Sequence, residues 1–263
     1  MNINELQIDK YFHRINFEHT LERNGETLRA LQHAHLTSVP YENLDILNGI
    51  PLSMKPEDLF KKIVDNVRGG YCFELNGIFA WLLKGLGFNV TDYFARFLLN
   101  EQEIPKRRHR VLKVEANDGV YICDIGVGIE SPRYSLKLLE GLEQADEFSR
   151  YKFTREPFFG WVLWQCKNGG QWNRYFSFTE EPQLDIDFIM PSFYCEKHPD
   201  SPFNKSPMLS LKTEKGRQTV DGKQLKFFEG EKLTNTFSIY NENACDEAIA
   251  FRDALKKYFN ISL

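Results

Sequence analysis

Arg68-Gly69-Gly70-Tyr71-Cys72-Phe73-Glu74-Leu75-Asn76 runs directly into Gly77-Ile78-Phe79-Ala80-Trp81-Leu82-Leu83-Lys84-Gly85-Leu86-Gly87. A two-glycine turn here gives way to an apolar stripe at helical spacing (Leu75, Ile78, Phe79, Leu82, Leu83, Leu86), and Gly85 and Gly87 suit its end. The stretch predicts a helix that starts at or next to Cys72. Upstream, Leu59, Phe60, Ile63, Val64 and Val67 recur at the same spacing, with Pro56 placed to begin a helix over Glu57 to Val67. Past Gly87 the period changes to short runs rich in aromatic and β-branched residues. Turn signals at Asn117-Asp118-Gly119 and Asn168-Gly169-Gly170 separate these runs, so antiparallel sheet or barrel is expected to about Met190. The proline-punctuated stretch Pro191 to Pro207 reads as irregular. Short strands are expected over Leu209 to Phe228, and Asn243 to Phe259 carries the pattern of a closing helix. Helices, then strands, then a small mixed unit favour an α+β fold over alternating βαβ units. The changes of pattern divide the chain into 1–87, 88–190 and 191–263.

The chain has 263 residues and is 42% hydrophobic, enough to bury a sizeable core without staples. Met1 to Lys10 lacks the apolar core of a secretory signal, and no run approaches the roughly 18 apolar residues of a membrane span. Five cysteines (Cys72, Cys123, Cys166, Cys195, Cys245) show no CxxC spacing, and their odd number argues against a closed disulfide framework. A cytoplasmic protein with reduced thiols is expected. The net charge of −4 and pI of about 5.9 speak against nucleic acid or an anionic membrane as partner. Lys106-Arg107-Arg108-His109-Arg110 is the local exception. It reads either as a solvated loop or as an anion site beside a histidine, with Arg107 and Arg108 as the candidate ligands for a phosphorylated molecule.

Three residues carry a candidate chemistry. Cysteine reacts as the thiolate, and an ordinary thiol with a pKa near 8.5 is mostly protonated at neutral pH. A helix start favours negative charge, so placement there is expected to lower the Cys72 pKa, and the same amides can donate to an oxyanion. Of the six histidines, His109 alone opens a predicted strand, His109 to Glu115. The next strand, Val120 to Asp124, returns after a turn. If that turn is centred between Asn117 and Asp118, Val111 lies opposite Asp124, and His109 is the diagonal neighbour of Asp124 on one face. Nucleophile, base and orienter then follow one another along the chain. The same three residue types suit a cysteine peptidase or a transglutaminase-like enzyme.

The segment from Arg68 to Asn76 resembles the active-site signature of the arylamine N-acetyltransferase family, and Pro40-Tyr41-Glu42-Asn43-Leu44-Asp45 is similar to its upstream Pro-Phe-Glu-Asn-Leu motif. Asp124-Ile125-Gly126-Val127-Gly128 resembles its Asp-x-Gly-Phe-Gly segment, and Ser201-Pro202-Phe203-Asn204 and Gly216-Arg217 to Leu225 are also similar. The resemblance implies a three-part fold: a helical bundle over 1–87 carrying Cys72, a β-barrel over 88–190 carrying His109 and Asp124, and a small α/β lid over 191–263, with a papain-like core. It implies acetyl-CoA as donor with no metal, and a double displacement through a Cys72 thioester to an arylamine, arylhydrazine or N-hydroxyarylamine. Tyr41, Phe97 and Val127 depart from the family's usual residues, and the resemblance implies that they line the acceptor pocket.

Overall fold

The computed structural model describes residues 3–239 and 247–261. The first third is helical, as its period requires. Helix α1 (Glu5–Ile15) is opened by Asn4, which shares a reciprocal capping box with Gln7, and α2 (Gly25–Ser38) by Asn24, whose side chain accepts from the Thr27 amide. Strand β1 (Tyr41–Glu42) and the short helices α3 (Leu44–Leu47) and α4 (Pro56–Phe60) lead to α5 (Cys72–Gly85). Leu75, Ile78, Phe79, Leu82 and Leu83 of α5 are all buried in the largest apolar cluster, among Tyr11, Leu28, Leu31 and Ile63. The helix expected over Glu57 to Val67 is shorter and less regular. It widens into a π turn over Lys61–Asp65, and Val67 sits at a left-handed φ of 51°. The chain leaves the helix there because Arg68 to Gly70 must run beside Pro40 to Glu42, where the Glu42 amide bonds the Gly70 carbonyl at 2.9 Å.

The middle of the chain forms an antiparallel sheet of β2 (Asn89–Phe97), β3 (His109–Ala116), β4 (Gly119–Cys123), β5 (Leu136–Lys137), β6 (Gln144–Ala145), β7 (Ser149–Glu156), β8 (Gly160–Lys167) and β9 (Trp172–Gln183). Its order is β5-β4-β3-β2-β9-β8-β7-β6, curled into a nearly closed barrel. Gln144 bridges the seam between the end strands: its side chain accepts from the Lys137 amide at 2.7 Å and donates to the Lys137 carbonyl at 2.9 Å. The core inside is aromatic, with Tyr93, Phe153, Trp161, Tyr175, Phe176 and Phe178.

Helix α6 (Ile189–Lys197) corrects the expectation of an irregular stretch after Pro191. Pro191 is its third residue, inside the first turn, where the missing amide has no helical partner to lose. One 3₁₀ turn follows at Pro202–Asn204. Strands β10 (Leu209–Thr213), β11 (Gly216–Asp221), β12 (Gln224–Glu229) and β13 (Lys232–Ser238) make a second antiparallel sheet, and β1 from the first third adds to its edge by pairing with β10. Helix α7 (Glu247–Phe259) packs Leu255 and Phe259 against Leu209, Val220 and Leu225 of that sheet. The rest of the closing-helix expectation, from Asn243, lies outside the described residues.

Candidate active site

The α5 start is set by its surroundings rather than by a good cap residue. Tyr71 precedes the helix in extended conformation, its amide accepted by Glu74 Oε2 at 3.2 Å. Glu74 belongs to a cluster of charges with little access to water. Lys62 Nζ contacts Asp45 at 2.7 Å and Glu74 at 2.8 Å, and Arg68 contacts Glu42 at 2.8 Å and Asp45 at 2.9 Å. Burial pushes the Glu74 carboxyl up while Lys62 pulls it down, and it ends above its usual range. The cluster ties Glu42 and Asp45 to the segment before Cys72, which gives the motif from Pro40 to Asp45 a structural task.

Cys72 is the first residue of α5 and is buried. Its sulfur lies 3.8 Å from the carbonyl oxygen of Arg108, the residue before His109. The expected lowering of its pKa does not hold in this geometry. Burial pushes the thiol well up, the neighbouring Cys195 and Asp124 add to it, and the Phe73 amide and Arg108 only partly offset them. Helix-start donors are real here, but desolvation outweighs them.

His109 Nε2 meets Asp124 Oδ2 at 2.8 Å, with both residues buried. Because an ionised carboxylate only accepts, Nε2 carries the proton and Nδ1 is left as the basic nitrogen. The hairpin has the expected register: Ala116 pairs with Gly119 and Leu112 with Cys123, so the turn is Asn117-Asp118 and His109 and Asp124 come to one face. Asp124 Oδ1 accepts from Asn76 Nδ2 at 2.9 Å and from the Gly126 amide at 2.9 Å. Asn76 also donates to the Arg110 carbonyl at 2.6 Å and accepts from the Ile125 amide at 3.0 Å, so one side chain joins α5 to the segments on either side of the hairpin. Sequence reasoning passed over Asn76, although it stands four residues after Cys72 and so on the same helix face. Gly126 is needed for the approach: a Cβ there would lie 2.6 Å from Asn76 Nδ2 and 2.8 Å from the Cys72 Cα.

The three pocket candidates are not brought into one cluster. Tyr41 packs against the buried group that includes Tyr71, Cys72 and Cys195. Phe97 and Val127 border the barrel core, where the Phe97 ring meets Tyr175 edge-on at 5.3 Å and His109 faces Phe176 at 6.2 Å. The two arginines also part. Arg107 turns to Glu181 and Thr179 of β9, at 3.3 and 3.4 Å. Arg108 contacts Glu101 at 3.4 Å and helps line a cleft of about 350 Å³ with Ile104, Pro105, Lys106, Tyr194 and Pro202. Four cysteines, Cys72, Cys123, Cys166 and Cys195, are free and buried, and Cys245 lies outside the described residues. Among the described residues no helix is long and apolar enough to cross a membrane.

A buried cysteine at a helix start, with a carboxylate-held histidine next to the residue it touches, is an arrangement for acyl transfer, and the N-acetyltransferase family profile matches residues 25–263. The chain is 33% identical to the arylamine N-acetyltransferase of Mycolicibacterium smegmatis, over 84% of this chain and 82% of the relative. It is 34% identical to that of Escherichia coli K12, over 90% and 79%. The solved arylamine N-acetyltransferase of Salmonella typhimurium superposes with a TM-score of 0.89 at 25% identity, covering 99% of this chain and 92% of that one. The enzyme of Mycobacterium marinum in complex with CoA superposes at 0.85 and 28% identity, covering 97% and 92%. The chain belongs to the arylamine N-acetyltransferase family and is an acyltransferase.

Proposed function

We propose that this enzyme moves acetyl from acetyl-CoA to an aromatic amine through a thioester on Cys72. The observation that carries the reading is the buried His109–Asp124 bond set against the α5 start. In the first half-reaction His109 Nδ1 takes the Cys72 proton as the sulfur attacks the acetyl carbonyl. The carbonyl–sulfur bond to CoA breaks, and the CoA sulfur leaves with the proton from His109. In the second half the acceptor nitrogen attacks the Cys72 thioester, loses its proton to His109, and the Cys72 sulfur recovers it. Asp124 holds the imidazole in the required tautomer and steadies its charged form. Proton transfer to His109 answers the burial of Cys72: the thiol need not ionise alone in a place that disfavours charge.

Arylamines, arylhydrazines and N-hydroxyarylamines are the acceptors proposed, and a relative from Salmonella typhimurium bears the name N-hydroxyarylamine O-acetyltransferase as well. Tyr41 would contact them from the Cys72 side, and Phe97 and Val127 from the barrel side. The cleft at Lys106 and Arg108 offers two cations to the CoA phosphates, and Glu101, which pairs with Arg108, and the neighbouring Glu103 and Asp200 would have to turn away to admit them. Arg107 would have to leave Glu181 to join them. The segments 1–87, 88–190 and 191–263 serve in this reading as bundle, barrel and lid around a papain-like core. Membership of an acetyltransferase family favours transfer from a thioester over peptide or glutaminyl chemistry.

The test is the intact mass after incubation with acetyl-CoA alone. A gain of one acetyl group on Cys72, absent in Cys72→Ala, is expected. Turnover of an arylamine by protein that never carries acetyl would sink the thioester.

A further inference from the structure

On the side of the barrel that meets the second sheet is a small polar cavity of about 40 Å³, lined by Arg133, Asp146, Tyr151, Lys167, Lys212 and Arg217 among others. Arg133 is only 2% exposed. One of its nitrogens, Nη2, donates to the Thr213 and Gly216 carbonyls at 2.7 and 3.1 Å, but Nε and Nη1 are buried without a hydrogen-bond partner among the described residues. The nearest carboxylate to Nε is Glu147, at 3.8 Å and half exposed. Arg217 Nε is likewise buried and unpartnered. Leaving such donors bare costs about 1–3 kcal/mol each, and both residues line the one cavity, which asks for an acceptor.

The charges say which sign that acceptor carries. Glu130 is matched by Lys167 at 2.6 Å, and Glu231 by Arg217 Nη2 at 2.9 Å. Asp146 is fully engaged: Oδ1 accepts from the Phe148 and Ser149 amides, and Oδ2 from the Arg133 amide and the Tyr151 hydroxyl. Among the described residues Lys212 Nζ bonds only the Ile129 carbonyl, at 2.7 Å. Asp146 has neutral donors only, so its charge offsets one of the two cations left, Arg133 and Lys212, and the four cations and three carboxylates of the lining leave one positive charge in excess. Each water needs roughly 10–15 Å³ by this measure, so the space takes a few waters or one small ion.

We propose that this cavity is a binding site for one small monovalent anion, of halide or formate size, held by Arg133 and Lys212. The ion joins the barrel, through Arg133 and Asp146, to the second sheet, through Lys212 and Arg217. It also steadies the loop at Ile129, which follows Val127 and Gly128. The site is independent of the acetyl-transfer reading.

Burial, then Arg133, pulls the Lys212 ammonium down to about 7, with Lys167 adding to this and Asp146 and Glu130 opposing it. A bound anion favours the charged amine, so binding should weaken as pH rises through 7. The experiment is thermal melting of the full chain in sodium chloride, bromide or formate against gluconate, which is too large to enter, at matched ionic strength. A saturating rise in Tm with the small anions is expected, larger below pH 7 than above it. Lys212→Met, at a half-buried position, should remove most of that increment. Crystals grown in bromide should show anomalous scattering in the cavity, a readout that does not depend on any variant folding. Equal melting in all salts, an increment that Lys212→Met keeps or that grows with pH, or a cavity holding only water in bromide would each overturn the proposal.

Discussion

Replacing Lys62 by Met should unsettle the protein by far more than a lost surface ion pair. The ammonium lies between Asp45 at 2.7 Å and Glu74 at 2.8 Å, and the side chains of Lys62, Asp45 and Glu74 are only 15%, 11% and 3% exposed. Asp45 keeps Arg68, but among the described residues Glu74 keeps only the Tyr71 amide. Breaking a buried pair from one side costs about 3–5 kcal/mol, against about 0–1 for an exposed one. At roughly 2–4 °C per kcal/mol for a chain of this size, Tm should fall by about 6–20 °C near neutral pH. The loss must also depend on pH. Burial already holds the Glu74 pKa above its usual value, and without Lys62 it rises further. The folded variant then binds a proton on Glu74 more tightly than the unfolded chain does. Its penalty is full above that raised pKa and shrinks as pH falls through it towards the ordinary carboxylate range. Urea unfolding of parent and variant at pH 8 and pH 5 measures both effects. A loss under about 1 kcal/mol, or one equal at the two pH values, refutes the buried-charge account.

Asp124→Asn should lower turnover by a factor on the order of 10⁴ with the fold intact, because an amide can present an N–H to His109 Nε2 and so move the ring proton to Nδ1, the nitrogen needed as base; steady-state rates with one arylamine decide it. In His109→Ala the thiol loses its proposed proton acceptor while burial still holds its pKa up, so iodoacetamide labelling of Cys72 should need higher pH than in the parent, and an unchanged profile would remove His109 from the proposed triad. Phe97→Val should reorder a panel of arylamines by about 1–3 kcal/mol in deacylation while leaving acetyl-enzyme formation near the parent rate; a uniform change across the panel would make Phe97 purely structural.

The hairpin from His109 to Asp124 was legible because a two-residue turn with period-2 strands leaves one register, and register alone decides which side chains share a face. The same holds for α5, whose apolar stripe and preceding glycines mark both its face and its start. What was not legible depends on partners distant in the chain. Nothing local marks Asn76 as the link between Cys72's helix and Asp124, since its partners Arg110, Asp124 and Ile125 come together only in the folded barrel. Helix α6 was hidden by Pro191, which breaks a helix anywhere but in its first turn. The thiol pKa turned on how deeply Cys72 is buried, a property of packing that helix-start chemistry does not report.

Tyr41 and Glu42 sit between two neighbours made at very different times. On one side they bridge to Gly70, two residues from Cys72; on the other they pair with Leu209 and Ser210 of β10. A ribosome releases Cys72 and its bundle long before Ser210 exists, and domains settle from the N-terminus onward as they emerge. Until β10 arrives, Tyr41–Glu42 is an uncovered strand edge, the kind of surface that invites a wrong partner. Cys72, the proposed nucleophile, is thus synthesised early and braced late, and a nascent chain halted before Ser210 should bind chaperones and lack acetyl transfer even though Cys72, His109 and Asp124 have all been made.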